Sequence, residues 1–270
     1  MPPIEISESH RLVALAAGVV QEFPPEQVVY AAAEAGFNAV GTWCDLETWT
    51  TKRTQLVKTA LDDTGLCALD IEVAWFKPGE ALETHDRFVD IAAEIGARHI
   101  LCVSSEPDIN DSMKRFEHLC KRTEGTNIRV ALEFLAITEI NSLTKAREVV
   151  ETVNHPAGAI LVDTLHLYRT GSSAADLKSI DANLLPYIQL CDASEKLLDT
   201  SMDGIIEDAV YLRQLPGQGE LPLHEFLAAF DAFTPISLEI RSRALIAQFP
   251  DNPLGRARAV YQATQALLGR

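Results

Sequence analysis

Val130-Ala131-Leu132-Glu133-Phe134 is a short apolar run of strand-forming residues that carries one carboxylate near its C-terminal end. Three later runs repeat the design: Ala159-Ile160-Leu161-Val162-Asp163, Tyr187-Ile188-Gln189-Leu190-Cys191-Asp192 and Ile236-Ser237-Leu238-Glu239. A single polar residue at a strand end is an ordinary turn signal. Four in succession, separated by segments of helical periodicity, predict a shared site at the C-terminal mouth of a parallel barrel.

Upstream of Glu133 the same unit of strand, loop, helix and closing glycine occurs four times. The predicted strands are Leu12-Val13-Ala14-Leu15-Ala16, Ala39-Val40-Gly41-Thr42-Trp43, Cys67-Ala68-Leu69-Asp70-Ile71-Glu72-Val73 and His99-Ile100-Leu101-Cys102-Val103. Their helices are expected over residues 26–34, 50–63, 83–95 and 111–122, with Gly36, Gly65 and Gly96 as C-caps of the first three. Downstream, helices are expected over 142–153, from Ala174, over 223–233 and over 255–268, and the passage 194–219 is expected to be irregular. Eight strands alternating with eight helices predict an α/β fold, a single-domain (β/α)8 barrel over residues 1–270. No G-x-G-x-x-G follows the first strand, which removes the main sign of a dinucleotide fold.

The chain has 39 acidic and 23 basic side chains, a formal charge of -16 that repels nucleic acid and anionic membranes. Neither is an expected partner; a small-molecule substrate is, and self-association stays open. Cys44, Cys67, Cys102, Cys120 and Cys191 are odd in number and lack C-x-x-C spacing, which predicts reduced thiols in a cytoplasmic protein. The N-terminal stretch, with Glu5, Glu8 and His10, has no apolar core of the kind a signal peptide needs.

If strand ends converge, Glu133, Asp163, Gln189 and Glu239 point into one mouth. Three carboxylates in close contact repel one another unless a cation lies between them. The donors are all oxygen, which suits one divalent ion, Mn²⁺ or Mg²⁺, better than Zn²⁺.

Leu132-Glu133, Asp163-Thr164-Leu165-His166, Ile188-Gln189-Leu190-Cys191-Asp192, the Arg213-x-x-Pro216-Gly217-x-Gly219 loop and Leu238-Glu239-Ile240 together resemble the xylose isomerase-like sugar phosphate isomerase/epimerase superfamily. Hydroxypyruvate isomerases, ketose 3-epimerases, inosose dehydratases and 3-dehydroshikimate dehydratases belong to it. The resemblance implies that Glu133 and Glu239 bind the metal and exchange protons with substrate. It implies that Asp163 is a metal ligand and that His166 faces substrate oxygens. Gln189 falls where many epimerases carry a metal-binding histidine and hydroxypyruvate isomerases a glutamine, a departure that favours an all-oxygen site. The implied activity is isomerisation or epimerisation of a small polyhydroxy carbonyl compound through an enediolate, with dehydration as the alternative on the same site. The superfamily also contains DNA-repair endonucleases, whose several strand-end histidines this chain lacks.

Other positions carry two readings. His166 either polarises a substrate oxygen or hydrogen-bonds within its loop. Arg213 is either a substrate anchor brought over the mouth by the Gly-rich turn or a solvated loop residue. Arg241, two residues past Glu239, either contacts substrate or neutralises a carboxylate. Asp192 either reaches the mouth or caps the following loop. Trp43 and Trp75 either wall a cyclic or aromatic substrate or pack under loops, and Glu72 is either open to the mouth or salt-bridged. No phosphate-binding G-x-x-x-x-G-K-[ST] is present, which favours an unphosphorylated substrate.

Overall fold

A computed structural model describes residues 11–269; Glu5, Glu8 and His10 lie outside the described residues. The strands are β1 (Val13–Leu15), β2 (Ala39–Trp43), β3 (Cys67–Phe76), β4 (His99–Ser104), β5 (Arg129–Glu133), β6 (Gly158–Asp163), β7 (Ile188–Leu190) and β8 (Ile236–Leu238). They pair in parallel in chain order, and β8 closes on β1 through Val13 opposite Ile236, giving the eight-stranded barrel that the sequence predicts.

Period-two alternation decides what each strand shows to the interior. In β5, Val130 and Leu132 face outward into the layer between barrel and helices, Ala131 faces inward, and Glu133 follows it inward. In β6, Ile160 and Val162 lie in the outer layer and Leu161 in the inner one, so Asp163 also turns inward. Ile188 and Leu190 flank Gln189 in β7, and Ile236 and Leu238 flank Ser237 in β8, with the same result for Gln189 and Glu239. Each outward aliphatic is fully buried, and burial of such a side chain contributes about 1.5–3 kcal/mol. The apolar pattern that stabilises the barrel therefore also aims the four oxygen-bearing side chains.

The helices are α1 (Pro25–Ala35), α2 (Thr51–Thr64), α3 (Asp86–Ile95), α4 (Ile109–Arg122), α5 (Leu143–Val153), α6 (Thr164–Arg169), α7 (Ala174–Leu177), α8 (Met202–Tyr211), α9 (Leu223–Leu227), α10 (Arg243–Gln248) and α11 (Pro253–Leu267). In α3, Phe88, Val89, Ile91, Ala92 and Ile95 form the buried stripe of an amphipathic helix. The helix ends at Gly96, whose φ of 72° is left-handed as a C-cap requires.

Three helices depart from the predicted one-to-one alternation. α6 starts directly at the end of β6, where the Asp163 carboxylate accepts from Leu165 N and His166 N as N-cap. α8 lies in the passage read as irregular, and α10 follows β8 before α11. α9 stops at Leu227 instead of running to residue 233, and Phe233 is exposed, so the expected apolar stripe has nothing to pack on there. All five cysteines are free; four are buried and Cys67 is half-buried. Among the described residues no helix is long and apolar enough to cross a membrane.

Candidate active site

Glu133, Asp163 and Glu239 meet at the C-terminal end of the barrel, each offering one oxygen within 4.8 Å of the others, and all three are buried. Gln189, from the strand between Asp163 and Glu239, joins them and has no solvent exposure. Its amide end faces the two glutamates, and its NH₂ group donates to Glu239 Oε2 at 3.3 Å and to Glu133 Oε1 at 3.2 Å, the orientation that the surrounding acceptors assign.

Arg213 supplies the positive charge within this cluster. Its Nη1 lies 2.6 Å from Asp163 Oδ2 and 3.2 Å from Glu239 Oε2. Nε donates to the Ala209 carbonyl at 2.8 Å, which fixes the guanidinium against α8. With 3% exposure Arg213 is no solvated loop residue, and its guanidinium is committed to the carboxylates, although it also borders the cavity above them. The Arg213 Nη2 to His166 Nε2 distance is 3.3 Å. Arginine only donates, so Nε2 of His166 is the acceptor and Nδ1 carries the proton.

Three carboxylates and one guanidinium leave two net negative charges in a site without bulk water. Burial, and then the Glu239 and Asp163 charges, push the Glu133 carboxyl well above its ordinary range. Burial also raises Glu239, with Asp163 adding to it and Arg213 opposing. Asp163 is the exception: burial acts upward, but Arg213 and His166 pull it below the ordinary value. Burial lowers His166 to about 4, so the imidazole is neutral. Four hard oxygen donors around a residual charge of minus two fit a divalent cation, which would restore neutrality. Asp163 keeps lone pairs for this, because Oδ1 accepts only the two amides of α6 and Oδ2 only Arg213.

Above the oxygens lies a cavity of about 470 Å³. Trp43 and Trp75 both line it, with Val73, Val103, Leu135 and Ile137, and α8 contributes Ile206, Ala209 and Val210. Trp75 is held by a 2.9 Å hydrogen bond from Nε1 to Ser105 Oγ. Arg241 also lines the cavity; among the described residues its side chain has no hydrogen bond or ion pair, and its charge opposes the rise in Glu72 and Glu239. Glu72 is open to the cavity and not salt-bridged. Asp192 does not reach the mouth. Its Oδ1 accepts from Ala193 N and Leu221 N and its Oδ2 from Gly217 N, which folds the Gly-rich loop.

Leu135, Ile137 and the α8 residues border the cavity without being among the site residues expected from sequence. Leu135 carried a signal, since it stands two positions beyond Glu133. The α8 residues carried none.

The 3-dehydroshikimate dehydratase of Pseudomonas putida is 26% identical over 172 residues, 59% of this chain and 26% of that protein. An inosose isomerase of Bacillus licheniformis is 24% identical over 159 residues, 55% of each chain. The chain therefore spans about a quarter to a half of the length of these curated relatives. The solved structure of the IolI protein with a bound zinc atom superposes with a TM-score of 0.79 at 16% identity, covering 96% of this chain and 98% of that one, a likeness of fold. Residues 29–265 match the Xylose isomerase-like TIM barrel family, and with the closed barrel and its C-terminal carboxylates on view, the chain belongs to that family.

Proposed function

We propose that this protein is a divalent-metal-dependent enzyme that removes a proton from the carbon next to a carbonyl group in a small substrate. The observation that carries this reading is the buried convergence of Glu133, Asp163, Gln189 and Glu239 beneath a cavity. Mn²⁺ or Mg²⁺ held by these four residues supplies Lewis acidity towards the oxygen on which negative charge develops, worth several kcal/mol. Glu133 and Glu239 are the carboxylates that take up and return protons. Neutral His166, its Nε2 engaged by Arg213, offers Nδ1–H to a substrate oxygen. Trp43, Trp75 and the apolar face of α8 exclude water from the reacting carbon.

Of the two outcomes such a site supports, the cavity favours dehydration of a cyclic keto acid. An open-chain polyol needs hydrogen-bonding walls, whereas these walls are largely apolar and the unpaired cation Arg241 suits a carboxylate. The Pseudomonas putida relative is named as a dehydratase of that kind. The second reading is isomerisation or epimerisation of a polyhydroxy carbonyl compound. It is supported by the presence of two glutamates able to trade protons with one substrate, and by the inosose isomerase relative.

Incubation of the Mn²⁺- or Mg²⁺-loaded protein in deuterated water with 3-dehydroshikimate, an inosose and a set of ketoses, followed by mass analysis, tests the reading. Loss of water identifies the lyase, and deuterium uptake without mass loss of water identifies the isomerase. Absence of both with every compound overturns the proposal. In the lyase case Arg241→Ala raises KM for the carboxylate substrate far more than it lowers kcat.

A further inference from the structure

Dehydration needs an acid at the leaving hydroxyl as well as a base at the α-carbon, and a glutamate occupied with metal and α-proton is poorly placed to serve both. β3 provides a third glutamate. Its pairing slips between Val40 and Gly41 on one side and between Ile71 and Ala74 on the other. With these irregularities Glu72 and Val73, neighbours in sequence, both face the cavity.

Glu72 is 3% exposed and stands outside the ring of four oxygen donors. Its Oε1 accepts from Ala17 N at 3.1 Å, while Oε2 has no partner among the described residues. The side chain is thereby fixed by one oxygen and open to the cavity with the other. Two positions earlier on β3 is Asp70, fully buried, whose carboxyl interacts with the Tyr187 hydroxyl. Glu239 bears on Glu72 as well. Burial, then Asp70 and Glu239, push Glu72 well above the ordinary carboxylate value, against the opposing effect of Arg241. The surroundings thus favour the protonated form of Glu72 over the carboxylate, in the same direction as its position, anchored by Oε1 and bordering the cavity, outside the four donors.

We infer that Glu72 is the general acid that protonates the departing hydroxyl, an inference that rests on the dehydratase reading. Glu133 or Glu239 takes the α-proton, and the C–H electron pair enters the enolate. As the carbonyl re-forms, that pair becomes the new C=C bond and the bond from the β-carbon to its hydroxyl oxygen breaks. The oxygen leaves with its bonding pair, takes the Glu72 proton and departs as water. Glu72 is left as carboxylate, the base as carboxylic acid, and solvent restores both after product release.

The test uses Glu72→Gln, with Glu133→Gln as control, on Mn²⁺-loaded protein with 3-dehydroshikimate and an inosose in deuterated water. Glu72→Gln is expected to bind Mn²⁺ with unchanged stoichiometry and to keep exchanging the α-proton, while water loss falls by about 10²–10⁴-fold. Glu133→Gln loses both. Water loss that survives in Glu72→Gln overturns the inference, as does equal loss of exchange and elimination. A wild-type protein that exchanges without eliminating overturns it too and leaves the metal-dependent reading standing. A readout without substrate is the infrared carbonyl band of a protonated carboxyl at neutral pH in the Mn²⁺-loaded protein. The wild-type minus Glu72→Gln difference spectrum is expected to show one such band; if the two spectra coincide, Glu72 carries no proton to give and the inference fails.

Discussion

Arg213 Nη1 stands 2.6 Å from Asp163 Oδ2, with both side chains almost wholly buried, and this contact lets three carboxylates share one cavity floor. Removing one partner of a buried pair leaves the other charge uncompensated, which costs about 3–5 kcal/mol. Arg213→Met in the metal-free protein is expected to lose stability of that order in urea unfolding, and saturating Mn²⁺ to restore part of it by neutralising Asp163. Metal-free Arg213→Met as stable as the wild type would show that the pair does not compensate the site.

Gln189 gives a separate prediction because its amide has two faces. Without metal the NH₂ group turns to Glu239 and Glu133, at 3.3 and 3.2 Å; with metal the oxygen turns to them. Gln189→Leu therefore weakens Mn²⁺ binding by about ten- to a hundredfold, at least the effect of losing an outer partner of a ligand. It also lowers metal-free stability by about 1–3 kcal/mol, since two buried carboxylates lose a donor. Calorimetric titration and urea unfolding measure the two quantities. Unaltered Mn²⁺ affinity would remove Gln189 from the donor set.

Acid sensitivity follows from His99, which lies in the barrel interior against the Tyr187 ring, with Nδ1 2.8 Å from the Leu69 carbonyl. Burial lowers its pKa to about 4, while an unfolded histidine titrates near about 6.5. The depressed folded value means that the unfolded chain binds the proton first. The neutral ring's contribution is complete above about pH 6.5 and is lost as the pH falls towards 4, on the order of 3 kcal/mol at most. His99→Gln is expected to flatten the fall in urea-unfolding free energy over that range. An unchanged slope would assign the acid sensitivity to other groups.

Glu133, Asp163, Gln189 and Glu239 were legible in the sequence because two regularities combine there. A parallel barrel sends every strand's C-terminal end to one mouth, and period-two alternation with outward aliphatics selects the inward residue. Glu72 was legible only as one of two readings, open to the mouth or salt-bridged, and the structure shows the first. The irregular pairing along β3 alters the phase of alternation, and nothing in Asp70-Ile71-Glu72-Val73 announces it. Arg213 was visible only as a residue before a Gly-rich turn. Its burial depends on contacts with Ala209, His166 and Asp163 that belong to three separate elements. α8 falls in the passage expected to be irregular; its Ala209 and Val210 pack on the core and, with Ile206, line the cavity. α6 was missed although Asp163 is its N-cap, since the same aspartate also reads as a strand end.

The proposed site has four side chains, distant in sequence, holding one divalent ion. Anomalous diffraction from a crystal of the wild-type protein equilibrated with Mn²⁺ tests it most directly. One strong peak is expected at the barrel mouth, bonded at about 2.1 Å by oxygens of Glu133, Asp163, Gln189 and Glu239. A map without a peak there, or a peak held by other residues while Gln189 donates its NH₂ to the glutamates, would contradict it.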